Sequence, residues 1–121
     1  MTNVDLSLKS ALEIDGAMAV ALVDYDSGMS LGQAGTGIDL DVAAAGNTDV
    51  VRAKIRTMHR LGIQESIEDI LITLGSQIHL IRLLQSEGGR GLFLYLVLDK
   101  SRSNLAMARR QLLNIERNLE I

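Results

Sequence analysis

Residues 92–99, "LFLYLVLD", place seven large apolar or aromatic side chains in unbroken succession before an aspartate. The run is far shorter than the roughly 20 residues a membrane helix needs, and its length and flanking glycines suit a strand. Successive side chains of a strand point to opposite faces, so a strand apolar at every position must be covered on both. That requirement asks for a sheet sandwiched between helices.

The remaining elements can be built around it. Val4, Leu8, Ala11 and Leu12 recur at helical spacing over 4–14, with Thr2 or Asn3 as N-cap and Asp15-Gly16 as the stop. "AMAVALVDY" alternates as a strand and returns through "DSG" into a short second strand, "MSLGQ". The glycine-rich "GQAGTG" reads as a flexible connector. Asp39 or Asp41 then caps a long helix that runs to about Arg60 and closes at Leu61-Gly62. In "DILITLGSQIHLIRLLQ", Gly75-Ser76 fits a two-residue hairpin turn of type II′. A final helix, capped by Ser101 or Ser103, carries the stripe Leu105, Ala108, Leu112, Ile115 and Leu119, with Arg109, Arg110, Glu116 and Arg117 off it. The order is α-β-β-α-β-β-β-α. Because hairpins dominate, the expected fold is α+β: a five-stranded antiparallel sheet with helices on both faces, one domain over 1–121.

The long helix has an unusually wide apolar arc. Ala44, Thr48, Val51, Ile55 and Met58 form one row, and the smaller Ala43, Gly46, Val50, Ala53 and Leu61 form another. A helix covered on one side needs less, which suggests that part of the arc meets another chain.

Composition narrows the function. The chain has no cysteine, so disulfides, thiolate metal sites and cysteine nucleophiles are excluded. No apolar stretch is long enough to insert in a membrane, and the acidic start "MTNVDLSLKSALEIDG" lacks the shape of a secretory signal; a cytoplasmic protein is expected. Residues 1–50 hold eight acids against Lys9 alone, and the basic excess beyond them is modest, so nucleic acid is not an expected partner.

Motifs with catalytic overtones are few. Gly28-Met29-Ser30-Leu31-Gly32 matches the hydrolase G-x-S-x-G pattern, but Ser30 falls inside a short hairpin strand instead of a strand-to-helix turn. "GQAGTG" lacks the Lys-Ser/Thr of a phosphate loop, and Asp39 and Asp41 at the following helix start would repel an anion. Neither His59 nor His79 has a partner at metal-ligand spacing; His79 reads as a hydrogen-bonded strand residue under or beside a helix. Asp24, Asp26 and Glu68 read as solvated strand ends. No cofactor or catalytic residue is expected. Arg52, Arg56, His59 and Arg60 share one face of the long helix, which reads first as a solvated face and alternatively as a recognition surface for an acidic partner.

The opening "EIDGAMAVALVDYDSGMSLG", the middle helix "DVAAAGNTDVVRAKIRTMHR", the strands "IEDILITLGSQIHLIRLLQ" and the ending "GLFLYLVLDKSRSNLAMARRQL" together resemble the roadblock (dynein light chain) family, over nearly the whole chain. The wording is most similar to small stand-alone bacterial members. The resemblance implies a profilin-like fold and a non-enzymatic homodimer, paired through the helix at 41–60 and an edge strand at about 66–74. On this chain that implies an interface of Ala44, Thr48, Val51, Ile55, Met58, Ile67, Ile70 and Ile72. It further implies a small Ras-like GTPase as signalling partner, with Arg52, Arg56, His59 and Arg60 as the docking face. A rival reading is a small-molecule sensor, which requires a cavity among the sheet and the first and last helices. An enzyme built on Ser30 and His79 ranks third.

Overall fold

A computed structural model describes residues 2–121. Its elements are α1 (Val4–Leu12), β1 (Ala17–Asp24), β2 (Met29–Gly35), α2 (Leu40–Arg60), β3 (Asp69–Thr73), β4 (Gln77–Leu83), β5 (Leu92–Asp99) and α3 (Leu105–Asn118), with short 3-10 turns at Glu87–Gly89 and Lys100–Arg102. The five strands form one sheet in the order β2-β1-β5-β4-β3, antiparallel at every pairing. The α+β architecture expected from the sequence is therefore present.

β5 occupies the middle of the sheet and divides the core as its composition demands. Leu92, Leu94, Leu96 and Leu98 join α1 and α3 on one face through Leu8, Ala11, Ala108 and Leu112. Phe93, Tyr95 and Val97 join α2 on the other through Leu40, Ala44 and Val51.

Several local expectations are corrected. "GQAGTG" is no loose connector: Gln33, Ala34 and Gly35 complete β2. Gly35 has φ +95°, and a side chain there would run into the Met18 carbonyl of β1, so the glycine permits close strand approach. Gly75 is absent from the glycines with positive φ, which rules out the type II′ turn. The Ser76 carbonyl instead receives Lys100 N–H at 3.0 Å, so the turn is held from outside by the neighbouring 3-10 turn. Asn104, neither serine, caps α3, its side chain accepting from Met107 N–H. Ser101 is taken by Asp99, which accepts from both its N–H and its hydroxyl, and Ser103 packs where a Gly16 side chain would stand. Asn3 occupies the N-cap position of α1 but makes no side-chain cap bond. Its amide is spent on the Asn118 carbonyl and Glu120 N–H, tying the two ends of the described chain together.

α2 keeps its expected bounds. Asp39 accepts from the N–H groups of Asp41 and Val42. At the far end Gly62 N–H donates to His59 and Ile63 N–H to Met58, with Gly62 at φ +71°.

The two faces are covered unequally. α1 packs over β1 and β2 and touches α3, while α3 reaches β4 and β3 through Arg82–Glu116 and Arg109–Asp69. On the opposite face α2 stands alone, over β1 and β2. Five strands at about 4.8 Å spacing span roughly 19 Å, and one helix is about 10 Å wide. By width about half of that face has no helix above it, although Ile81, Leu83, Tyr95 and Val97 there are buried, so its open part is Ile70, Ile72 and the Gln77–His79 end of β4. Among the described residues no helix is long and apolar enough to cross a membrane.

Candidate interaction surface

The uncovered half-face carries Ile70 and Ile72 of β3 opposite Ile81 and His79 of β4, with Tyr95 of β5 beside them. Ile81 and Tyr95 are buried, whereas Ile70, Ile72 and His79 are half-buried. β3 ends the sheet, so its outer backbone groups are unpaired, the arrangement that invites another strand.

His79 is hydrogen-bonded at both ring nitrogens. Tyr95 hydroxyl lies 2.9 Å from Nδ1 and Gln77 Oε1 lies 2.9 Å from Nε2, with the Tyr95 ring edge-on at 5.5 Å. Gln77 Oε1 only accepts, so the neutral ring carries its proton on Nε2 and Nδ1 accepts from the phenol. Burial lowers the His79 pKa below its ordinary value. Burial likewise raises that of Tyr95, opposed by the nearby Asn47 side chain of α2, whose amide donates to the Ala43 carbonyl.

The Asn47 contact turns one flank of α2, bearing Ala43, Val50 and Lys54, toward the open half-sheet. Val50 is 39% exposed and Gly46 opens onto empty space. The opposite flank faces β2: Asp41 accepts from Gln33 Nε2 at 2.9 Å, and Gly28 abuts Ala45 and Thr48. Arg52, Arg56 and His59 continue that second flank, and all three are exposed, as is Arg60. None forms an ion pair among the described residues.

The expected interface residues separate accordingly. Ala44, Thr48 and Val51 are corrected: they are at most 4% exposed, consumed by the chain's own sheet, with the Thr48 hydroxyl bonded to the Ala44 carbonyl. Ile55, Met58, Ile67, Ile70 and Ile72 keep partial exposure. Of these, Ile55, Met58 and Ile67 line an open cleft of about 660 Å³ between the end of α2, residues 62–67 and the end of β4, with Tyr25, His59 and Arg90 also at its walls. The cavity required of a sensor thus lies on the α2 side, not among the sheet, α1 and α3.

Ser30 and His79 do not meet. They sit on β2 and β4 with two strands between, and Ser30 is level with Leu83, four residues along β4 from His79, which puts them roughly 20 Å apart. Ser30 hydroxyl bonds the Gly32 carbonyl of its own strand. Asp24 closes the β1–β2 turn by accepting from Asp26 N–H, and no metal-binding cluster occurs among the described residues.

Sequence reasoning missed Glu116, which is buried although it was placed off the α3 stripe. It accepts from Arg82 Nε at 2.8 Å and from the N–H groups of Gln85 and Ser86 at 2.7 and 3.2 Å. The available signal was its spacing, four residues after Leu112 and eight after Ala108.

No family model matches the sequence, and no curated protein matches it with significance. Solved structures do. The chain is similar to a Roadblock/LC7 domain from Streptomyces avermitilis, with TM-score 0.81, 15% identity, and 94% of this chain and 92% of that one covered. It is also similar to MglB of Myxococcus xanthus, at TM-score 0.74, 19% identity and coverage of 93% and 85%. The gliding protein MglB of Thermus thermophilus matches at TM-score 0.75, 17% identity and coverage of 92% and 81%.

Proposed function

We propose, on the premise that this chain has the Roadblock/LC7 fold, that it is a non-enzymatic homodimeric adaptor which docks a small Ras-like GTPase. The observation that carries the reading is the uncovered half of the α2-side sheet face. Half-buried Ile70 and Ile72, an unpaired β3 edge and the small-residue flank of α2 all border it. A second copy related by a two-fold axis would cover the apolar half-face, pair β3 with its equivalent and bring two α2 helices together at Val50. The interface is then Ile70, Ile72, Ala43, Val50 and their neighbours, in place of the buried Ala44, Thr48 and Val51.

Docking falls to the other flank. Arg52 and Arg56, exposed and without ion-pair partners, face away from the dimer contact, so pairing leaves them free to meet acidic groups of the GTPase. Preference for one nucleotide state would let the adaptor bias the GTPase between its states.

The test is retention of a GTPase by the tagged protein in the presence of GDP or a non-hydrolysable GTP analogue, with Arg52→Glu/Arg56→Glu as control. Nucleotide-selective retention lost in the double variant supports the reading. Unchanged retention by the double variant refutes the docking face. The 660 Å³ cleft favours the sensor as a second reading, since its size lies in the small-ligand range. A thermal-shift screen with nucleotides and metabolites separates the two.

A further inference from the structure

We infer that the His79–Tyr95 pair lies inside the contact between two copies of this chain and makes their association proton-dependent, strong while His79 is uncharged and weak once it is charged. The inference rests on the dimer reading above and adds to it a control residue. His79 stands on the uncovered half-face directly opposite Ile72 of the edge strand, in the area a second copy would cover. It is the titratable residue of that area whose charge changes between pH 5 and 8.

The local bonding is complete for the neutral ring as it stands. Nε2–H donates to Gln77 and Nδ1 accepts from the Tyr95 hydroxyl. A proton on Nδ1 would confront that hydroxyl donor with a second donor, so the phenol would have to turn and find another acceptor. Covering the half-face also strips water from the ring, which penalises the charged form further.

The surroundings offer the cation little relief. β3 presents Ile70 and Ile72, and β5 presents Val97 and Tyr95. Asp99, paired with Gln77, is the nearby carboxylate on this face, and its Oδ1 is engaged by the N–H and hydroxyl of Ser101. α2 contributes the uncharged Asn47, near Tyr95.

The sign follows from linkage. A histidine more readily kept neutral in the dimer than in the free chain contributes to association above its free-chain pKa, which burial already holds below the ordinary value, and the contribution is lost as pH falls through it. With two such residues per dimer, the dissociation constant rises between pH 7.5 and 5.5 by at most about a hundredfold, the limit for a free-chain histidine at its ordinary pKa.

Sedimentation equilibrium of the full chain across that range tests this, with His79→Gln and His59→Gln beside the wild type and circular dichroism as the fold check. The expected result is a pH-dependent dissociation constant in wild type and His59→Gln that becomes flat, within about threefold, in His79→Gln. Imidazole NMR titration of wild type at dimer-forming and monomer-forming concentrations gives the same answer without a variant: His79 titrates lower in the dimer. A wild-type dimer of equal affinity at both pH values, or pH dependence surviving in His79→Gln, overturns the inference and leaves the dimer reading standing. A monomer at both pH values overturns both.

Discussion

Removing the Glu116 carboxylate should be the most damaging single change outside the large apolar core. Its side chain is 5% exposed and that of Arg82 is 13%, so their charges meet in a largely dry environment. Glu116→Ala strands the Arg82 guanidinium and leaves Gln85 and Ser86 N–H without their acceptor. Breaking a buried pair from one side costs about 3–5 kcal/mol, and the orphaned amides lie where β4 leaves the sheet, a place water can partly reach. A loss of about 4 kcal/mol is expected. For a chain of 121 residues, an unfolding entropy near 2.1 cal/mol/K per residue converts this into a fall in Tm of about 16 °C. Thermal and urea melts at fixed protein concentration measure it, since association would shift both. Glu116→Gln retains an acceptor and should lose about half as much. Arg82→Met combined with Glu116→Leu removes both charges, so its loss should be smaller than the sum of the singles by 2 kcal/mol or more, about half the 4 kcal/mol expected above. Additive losses, or a Glu116→Ala loss below about 1 kcal/mol, would refute a coupled buried pair.

Asp39→Ala removes the side-chain cap of α2 and should cost about 1 kcal/mol, read as a Tm lowered by about 4 °C. Gly35→Ala forces a side chain into left-handed backbone against the Met18 carbonyl, and should destabilise by about 2 kcal/mol or more in a urea melt, with separation of β2 from β1 visible in amide exchange. Ile72→Lys places a charge on the open half-face; it should leave the monomer folded but abolish association by light scattering, and a persisting dimer would sink the proposed interface. Thr48→Lys, by contrast, should unfold the chain outright, because that position belongs to its own core.

The interaction surface was only partly legible in sequence. The excess apolar arc of α2 signalled more apolar surface than one sheet contact needs, and the structure leaves Val50 of that arc 39% exposed. The row that packs on the chain's own sheet was misread. Ala44, Thr48 and Val51 look like an interface row because their spacing is regular and Thr48 is polar; the hydroxyl is instead satisfied by the preceding turn. Glu116 was misread by the same habit, a charged residue being assigned to solvent although its spacing put it on the buried stripe. Arg82, the partner that made burial tolerable, lies 34 positions away in the chain.

What the sequence determined by itself is the layered plan. A strand apolar on both faces has to be enclosed, and the hairpins and three amphipathic helices left few arrangements that enclose it. Element bounds such as Asp39 and Gly62 were equally local, because caps act on backbone groups within a few residues. Only the tertiary structure decided which arc of α2 turns inward, that His79 meets Tyr95, and that half of one sheet face lacks a helix. Periodicity reports that a helix has a face, but the rotation of that face about the axis is chosen by distant strands. Those strands meet it only when the sheet has formed.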